Sequence, residues 1–215
     1  MPSAHDESTS AQGPFSEVNS DQLRVLDLIA TAIEEAPHNL MSRRGKQDLR
    51  TRHLPECVAF ARMLPTGPAK ILDLGSGGGL PGLIVAAIRP DLDVHLLDST
   101  AKKAAFLTTT SRDLGIPATV HATRAEEFAR GPNAGSFDVV TARAVAALEQ
   151  LVEWSVPLLK VGGLLFAIKG ERWRAELDDA ATTLRRLRVQ LVATPDDQLS
   201  RGDAEPRVVI LARGA

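Results

Sequence analysis

The 215-residue sequence has little of what secreted and membrane proteins need. It contains a single cysteine, so no intramolecular disulfide can form. Its first residues lack the charged and then apolar pattern of a signal peptide. No apolar run approaches the ~20 residues of a membrane helix. We therefore expect a soluble, cytoplasmic protein that makes no membrane contact.

No charge of one sign dominates either, since the formal net charge is -2. A global basic field that would attract nucleic acid is thereby excluded, and any such partner must meet a local patch. Residues 1–36 hold seven acidic residues and one basic, whereas residues 38–70 hold seven basic and two acidic. The basic segment is either a solvated face or a surface for a polyanion.

Short apolar segments alternate with helical segments from Lys70 onward, which predicts a parallel sheet covered on both faces. The two last apolar segments are joined by a polar loop too short for a crossover helix, so they form an antiparallel hairpin. We expect an α/β, Rossmann-like, doubly wound and mostly parallel sheet. A flexible arm covers 1–16, a helical extension 17–69 and the sheet domain 70–215.

The most informative segment is glycine-rich and lies between a predicted strand and a predicted helix. It reads Asp-Leu-Gly-Ser-Gly-Gly-Gly-Leu-Pro-Gly over residues 73–82. Glycines allow a sharp turn and a close approach of a ligand to the backbone. Gly75, Gly77 and Gly79 have the spacing of methyltransferases, whereas dinucleotide enzymes favour G-x-G-x-x-G and position 80 is Leu80.

An acidic residue, Asp98, ends the second predicted strand, 23 residues after Gly75. A carboxylate at that place can accept both hydroxyls of a ribose, in NAD or in S-adenosylmethionine. The glycine spacing favours S-adenosylmethionine. The alternatives are NAD, and a tight strand–helix turn that binds no ligand.

Further segments resemble the ribosomal RNA small subunit methyltransferase G family, also called glucose-inhibited division protein B. The Leu-Pro-Gly extension of the glycine loop, the Arg-Ala after strand four and the Lys-Gly after strand five are the most specific matches. The matching segments are Asn39-Leu40-Met41, Arg52-His53-Leu54, Asp73 to Gly82, Leu97-Asp98-Ser99 with Lys102-Lys103, Arg124 to Glu127, Ser136-Phe137-Asp138 with Arg143-Ala144, and Ala167 to Glu171.

The resemblance implies the class I methyltransferase fold and transfer of a methyl group to guanine N7 in the 530 loop of 16S rRNA. It implies a partner that is 16S rRNA or the 30S subunit, S-adenosylmethionine as cofactor, and no metal; we expect a monomer. Gly75, Gly77, Gly79 and Leu80 would contact the cofactor, with Asp98 on the ribose. Ala125 and Glu126 would lie at the adenine and Arg143 at the methionine end or the substrate.

The residue chemistry agrees with an N7 acceptor. Guanine N7 carries an in-plane lone pair, so the enzyme has mainly to align N7, methyl carbon and sulfur. The Asp/Asn-Pro-Pro-aromatic tetrad of exocyclic-amine methyltransferases is replaced here by Thr-Ala-Arg-Ala at 141–144. The cysteine nucleophile of pyrimidine C5 enzymes is also lacking, because Cys57 lies outside the sheet region and is expected to be buried.

Two residues at strand ends, Arg143 and Lys169, are candidates for positioning the substrate, the alternatives being a surface salt bridge and a solvated lysine. Beside such a site, the basic segment becomes a candidate RNA surface. The residues we predict to bind RNA are Arg43, Arg44, Arg52, His53 and Lys169.

Other functions stay open at this point. The segment Pro55-Glu56-Cys57 replaces the Leu-Asp-Ser typical of the family, which keeps a methyltransferase for another RNA or a small molecule as an alternative. A cofactor-binding module without transfer activity is a second alternative, and an NAD-dependent oxidoreductase is a third.

Overall fold

A computed structural model describes residues 15–37, 39–198 and 206–215. The arm expected over 1–16 therefore falls outside the described residues except for its last two positions. Within the described ranges, no helix has the length and apolar character that crossing a membrane requires.

Seven strands form one sheet in the order β3-β2-β1-β4-β5-β7-β6. Strands β1 to β5 pair in parallel, and β7 runs antiparallel between β5 and β6. This sheet confirms the predicted mixed α/β fold with its closing hairpin. The strands are β1 Ala69–Leu74, β2 Leu92–Leu97, β3 Ala118–His121, β4 Phe137–Arg143, β5 Leu159–Ile168, β6 Val189–Ala193 and β7 Val208–Arg213.

Helices cover both faces of the sheet. A π-helical turn, Leu49–His53, precedes the third of them, and a 3-10 turn, Pro195–Gln198, follows β6. The α-helices are α1 Ser20–Glu35, α2 Arg43–Gln47, α3 Leu54–Met63, α4 Gly82–Ile88, α5 Ala101–Asp113, α6 Ala125–Phe128, α7 Leu148–Ser155, α8 Trp173–Asp179 and α9 Ala181–Arg186.

The sheet separates two hydrophobic cores, because successive side chains of a strand point to opposite faces. In β1, Ile71 belongs to the core shared with α1, α3, α4 and α5. Its neighbour Leu72 belongs to the core shared with α7 and the start of α8. Burial on both faces explains why the parallel strands are nearly continuous apolar runs.

The N-terminal helices are joined to the sheet through the first of these cores. Helix α1 starts with a capping box, in which Asn19 and Gln22 each accept a backbone N–H of the other. The Gln22 side-chain amide also donates to the carbonyl of Ile88 at the end of α4. The buried face of α1, including Ile29 and Ile33, thereby packs beside the first sheet crossover.

The basic segment forms three short pieces where the sequence pattern predicts one helix from about residue 47 that restarts near Pro55. Helix α2 ends at Gln47, the π turn follows, and α3 begins at Leu54 with Pro55 in its first turn. The Leu54 N–H still donates to the Leu49 carbonyl across this junction, whereas Pro55 has no N–H to donate. The helix predicted to bend or start again near Pro55 changes there from the π turn to α3, and the π turn is the unpredicted part.

Candidate active site

The site lies where the strand order reverses, at the carboxyl ends of β1 and β4. Strand β1 pairs with β2 on one side and with β4 on the other, so the loops after β1 and β4 leave the sheet towards opposite faces. Such a switch point leaves a crevice in doubly wound sheets. Three adjoining cavities occupy this crevice, and we name them the adenosine-side cavity, the glycine-loop cavity and the charged cavity.

The glycine loop begins with two backbone hydrogen bonds to the neighbouring strand. The N–H groups of Gly75 and Ser76 donate to the carbonyl of Leu97 at 2.8 and 3.0 Å. Gly75 has a φ of 72°, and a Cβ atom there would lie 2.7 Å from a methyl group of Val145. Glycine is required at this position both by the left-handed backbone and by the close approach of Val145.

A buried carboxylate, Asp73, holds the two ends of the loop together. It accepts from the Thr141 hydroxyl on β4 at 2.9 Å and from the Gly82 N–H at the start of α4 at 3.2 Å. Burial raises the pKa of Asp73 to about 6, although these hydrogen bonds act in the opposite direction. Gly82 leaves room for this contact, since a Cβ there would lie 2.5 Å from the carboxylate.

The glycine-loop cavity has a volume of about 340 Å³ and lies between the loop and the segment that leads into α2. Leu40 and Ser42 form one wall, and Gly75, Gly77 and Leu80 form the other. The adenosine-side cavity, of about 90 Å³, shares Gly75 with it. Its further walls are Leu74, Leu97, Ser99, Thr123, Arg124, Ala125, Glu126, Val145 and Trp154.

Asp98, predicted to meet a ribose, is buried and lines none of the three cavities, although its neighbours Leu97 and Ser99 line the adenosine-side cavity, and both of its oxygens accept backbone N–H groups. One oxygen accepts from Gly77 at 2.9 Å and the other from Thr100 at 2.8 Å. A carboxylate oxygen has more than one lone pair, so each retains acceptor capacity. Asp98 thus also fixes the glycine loop, which the sequence pattern did not predict.

Gly79, predicted to contact the cofactor, faces the protein interior instead. A Cβ atom at Gly79 would lie 2.4 Å from Leu83 and 3.2 Å from Leu107, and the φ of 92° is left-handed. The residue lines none of the three cavities. Its glycine is required for packing of the loop on α4 and α5.

The charged cavity, of about 630 Å³, lies on the other side of Arg143 and Ala144, which both cavities share. Ala144 has a φ of 54°, which is uncommon for a residue with a side chain and is typical of functional sites. Most of the walls are charged. They include Arg52, Glu56, Lys169, Arg172, Glu176, Asp179 and Arg207.

Glu56 is the centre of an ion-pair cluster in this cavity. Its carboxylate binds Arg143 on β4 at 2.9 Å and Arg52 at 2.8 Å, and it lies 3.2 Å from Nδ1 of His53. Burial raises the pKa of Glu56, but the hydrogen bonds from His53 and Arg52 and the charge of Arg143 outweigh burial and lower it to about 2. The carboxylate is therefore ionised at neutral pH.

His53 and Cys57 complete the surroundings of the Arg143 guanidinium. Nδ1 of His53 also lies in hydrogen-bond contact with Arg143. It donates to Glu56 when it carries a proton and accepts from Arg143 when it does not, so the two bonds belong to different protonation states of that nitrogen. Arg143 donates to the Cys57 sulfur at 3.3 Å. Burial raises the pKa of the Cys57 thiol to about 12, which excludes a thiolate nucleophile at neutral pH.

Lys169 is neither a solvated lysine nor a free cation. Its side chain is 6% exposed, and its ammonium group binds the Glu176 carboxylate at 2.5 Å and the carbonyl of Ala146 at 2.8 Å. Glu176 in turn accepts from the Leu148 N–H at the start of α7. The Lys169–Glu176 pair therefore holds the loop that follows Arg143. The alternative of a surface salt bridge for Arg143 is also wrong, because the Arg143 side chain is only 16% exposed.

The predicted basic patch divides into two groups. Arg50 binds Asp27 and Glu34 of α1, and Lys46 donates to the Glu34 carbonyl, so these two face the acidic helix. Arg43 and Arg44 are exposed on α2, beside the wall of the glycine-loop cavity.

Several residues at the crevice carried no signal in the sequence. Only the folding of the chain brings these residues to the cavity walls. In the sequence, a single acidic residue beside arginines, or a tryptophan within a helix, does not predict a site. A tryptophan in a helical segment is expected to be a packing residue, and Trp154 lines the adenosine-side cavity. No cluster of metal-ligand type is found among the residues with described positions. The unpredicted wall residues are Glu56, Val145, Trp154, Arg172, Glu176 and Arg207.

Solved structures with this fold include methyltransferases, and also a branched-chain polyamine synthase from Thermus thermophilus with a TM-score of 0.60 and 15% identity, over 88% of this chain and 63% of its own. An S-adenosylmethionine-dependent O-methyltransferase from Thermotoga maritima has a TM-score of 0.56 and 14% identity, over 87% of this chain and 71% of its own. An rRNA methylase, named as such provisionally, from Clostridium thermocellum has a TM-score of 0.54 and 14% identity, over 76% and 97%. The fold, with its glycine loop at the switch point, is that of the Rossmann-like methyltransferases.

The family follows from sequence comparison. The model of the family described as rRNA small subunit methyltransferase G matches residues 24–200, and the chain belongs to this family. A ribosomal RNA small subunit methyltransferase G from Sorangium cellulosum is 39% identical over 178 residues, 79% of this chain and 74% of that protein. One from Beutenbergia cavernae is 39% identical over 194 residues, 89% and 87%. The resemblance inferred from the motifs is confirmed.

Proposed function

We propose that this protein transfers a methyl group from S-adenosylmethionine to guanine N7 in the 530 loop of 16S rRNA. The observation that carries the proposal is the wall shared by two cavities. Arg143 and Ala144 separate the glycine-loop cavity from the charged cavity, so a methyl donor and an acceptor base can meet there. Family membership supplies the class of substrate.

The residues fit S-adenosylmethionine in shape and polarity. Ala125, Glu126 and Trp154 form a narrow, partly apolar slot suited to adenine. Gly75 and Leu80, together with Gly77, would receive the methionine portion, and the remaining lone pairs of Asp98 would accept the ribose hydroxyls. When bound, this cofactor supplies an electrophilic methyl group on a sulfonium.

The chain's own contribution is to hold the acceptor in line. N7 needs no base, so positioning provides the rate enhancement. Arg143 is held by Glu56 with its guanidinium at the cavity wall, where it can donate to the guanine edge or to a phosphate. Lys169, paired with Glu176, fixes the loop beyond Arg143.

The partner of the protein is RNA. The helical extension over 17–69 faces the RNA, with Arg43, Arg44, Arg52 and His53 beside the crevice. The protein acts as a cytoplasmic monomer on 16S rRNA or the 30S subunit, and it needs no metal.

Methyl transfer to ribosomal particles tests the proposal. The wild-type protein is incubated with labelled S-adenosylmethionine and 30S subunits that lack the modification, and chemical cleavage maps 7-methylguanine. We expect one modified guanine, in the 530 loop. Label on another RNA, on a small molecule, or on nothing despite cofactor binding would overturn the proposed substrate. Free 16S rRNA in parallel shows whether the assembled particle is needed.

A further inference from the structure

We propose that Arg172 and Arg207 form a phosphate-binding edge of the charged cavity and that they hold the RNA backbone next to the target nucleotide. This inference rests on the proposed function, because it requires RNA as the substrate. It adds two residues that lie outside the motifs of the family resemblance.

The pairing of charges inside the cavity singles out these two arginines. Arg143 and Arg52 are bound to Glu56, and Lys169 is bound to Glu176. Neither Arg172 nor Arg207 makes an ion pair with any residue whose position is described, and both are exposed. Of the acids on the cavity wall, Asp179 alone is left without a described ion-pair partner, so the rim keeps an excess of positive charge.

The fold brings the two arginines to the same end of the sheet, where both line the charged cavity. Strand β5 pairs antiparallel with β7, with Ile168 opposite Val208, and the Lys169 N–H donates to the Arg207 carbonyl at 2.9 Å. Arg172 lies three residues beyond Lys169, just before α8. Arg207 directly precedes β7 and Arg172 directly precedes α8, so both positions adjoin regular elements, whereas Arg52 lies on the π turn.

The size and chemistry of the cavity fit a nucleotide between these walls. Its volume of about 630 Å³ is within the range of roughly 300–1,000 Å³ found for ligand pockets. A nucleotide whose base reaches Arg143 keeps its own phosphates at the rim. Exposed arginines with no ion-pair partner among the described residues suit phosphate, because the guanidinium binds two oxygens at once and retains its charge.

The test is the double variant Arg172→Gln/Arg207→Gln, assayed on unmodified 30S subunits at several salt concentrations. We expect the KM for the RNA substrate to rise tenfold or more while kcat changes less than twofold. The slope of log affinity against log salt should fall by about 1.4, since each single-stranded phosphate contact contributes about 0.7. Arg172→Lys/Arg207→Lys should restore the slope but only part of the affinity.

Arg130→Gln/Arg185→Gln is the matched control, because these exposed arginines lie just after α6 and on α9, outside the extension over 17–69, and line none of the three cavities. Equal KM shifts and salt slopes in both double variants would overturn the inference. So would an unchanged KM in the cavity variant. Cofactor binding and melting temperature are measured in each variant to exclude misfolding. If the wild-type protein methylates no rRNA, the proposed function itself fails. If the wild-type protein is active and the cavity variant behaves like it, only the inference about Arg172 and Arg207 fails.

Discussion

The two sides of the crevice each contain a buried carboxylate, and their environments differ. Asp73, under the glycine loop, is held by a hydroxyl and a backbone N–H, and burial raises its pKa to about 6. Glu56, in the charged cavity, is held by cations that outweigh burial and lower its pKa to about 2. The proposed cofactor side is thus held by neutral donors, whereas the proposed substrate side contains an ion-pair cluster.

This difference indicates two ways to make a binding surface. A backbone cradle needs glycines at fixed spacing and small residues around them, so its geometry is encoded locally. A charged cavity needs side chains from separate elements, as with Arg143 and Glu56, which are 87 positions apart. The first is sensitive to added volume, and the second to removed charge.

Removal of the charge on the substrate side should have the largest effect. Glu56→Ala leaves Arg143 and Arg52 without their carboxylate in a mostly buried place, and we expect a loss of about 3 kcal/mol in the free energy of unfolding. Asp113→Ala, which removes an exposed pair with Arg112, should cost less than about 1 kcal/mol. Urea unfolding of both variants measures the contrast, and equal losses would contradict it.

The same cluster should act on catalysis through Arg143. Arg143→Ala is expected to slow methylation tenfold or more, about 1.4 kcal/mol. If Glu56 serves to hold Arg143, then Glu56→Gln combined with Arg143→Ala should be no slower than Arg143→Ala alone. If the methylation rate of the double variant falls by the product of the two single-variant factors, Glu56 contributes to catalysis independently of Arg143.

The opposite pKa shifts predict opposite pH dependences of stability. The raised pKa of Asp73 means that its contribution is fully present below pH 3.8 and is lost as pH rises through about 6, a change of roughly 3 kcal/mol at most. The lowered pKa of Glu56 means that its contribution is present above pH 4.5 and is lost as pH falls towards 2.

Unfolding free energies of the wild type, Asp73→Asn and Glu56→Gln between pH 3 and 7 separate these contributions. Relative to the wild type, Asp73→Asn should gain stability as pH rises, and Glu56→Gln should gain it as pH falls. Curves parallel to the wild type in both variants would show that the two environments do not differ.

Added volume should matter on the cofactor side. Gly75→Ala places a methyl group against Val145, and we expect S-adenosylmethionine affinity to fall about 100-fold, about 2.7 kcal/mol. Gly67→Ala is the matched control, because its φ of 84° is also left-handed but no atom lies within 4 Å of the added Cβ. Calorimetry should find the affinity of that control unchanged, and a similar loss in both would attribute the effect to backbone strain.

The smallest effect concerns the exposed arginines. Neutralising Arg43 and Arg44 should weaken RNA binding and lower the salt slope by about 1.4. Arg50→Gln should leave that slope unchanged, because Arg50 faces Asp27 and Glu34, and should cost less than about 1 kcal/mol of stability. An equal fall of the salt slope in both variants would show that Arg50 binds RNA as Arg43 and Arg44 do.

The sequence pattern predicted the sheet and the glycine loop because both depend on local signals. Ile71 and its neighbours form a short apolar run, and the glycines follow it directly. It could not predict the partners of Lys169 or Arg143, since long side chains choose among many acids once the chain has folded. It also assigned Gly79 to the cofactor, because the motif does not distinguish a glycine required by a ligand from one required by Leu83.

The π turn between Asp48 and Leu54 makes the number of residues there a determinant of the site. A π turn holds more residues than an α turn, and such turns are frequent at functional sites. Deleting one residue from the turn would allow a regular α-helix, in which each position is rotated by about 100° from the next. Arg52 would then leave the charged cavity while Glu56 stayed in place. Chain length in this turn should therefore tolerate change less well than the identity of its exposed side chains.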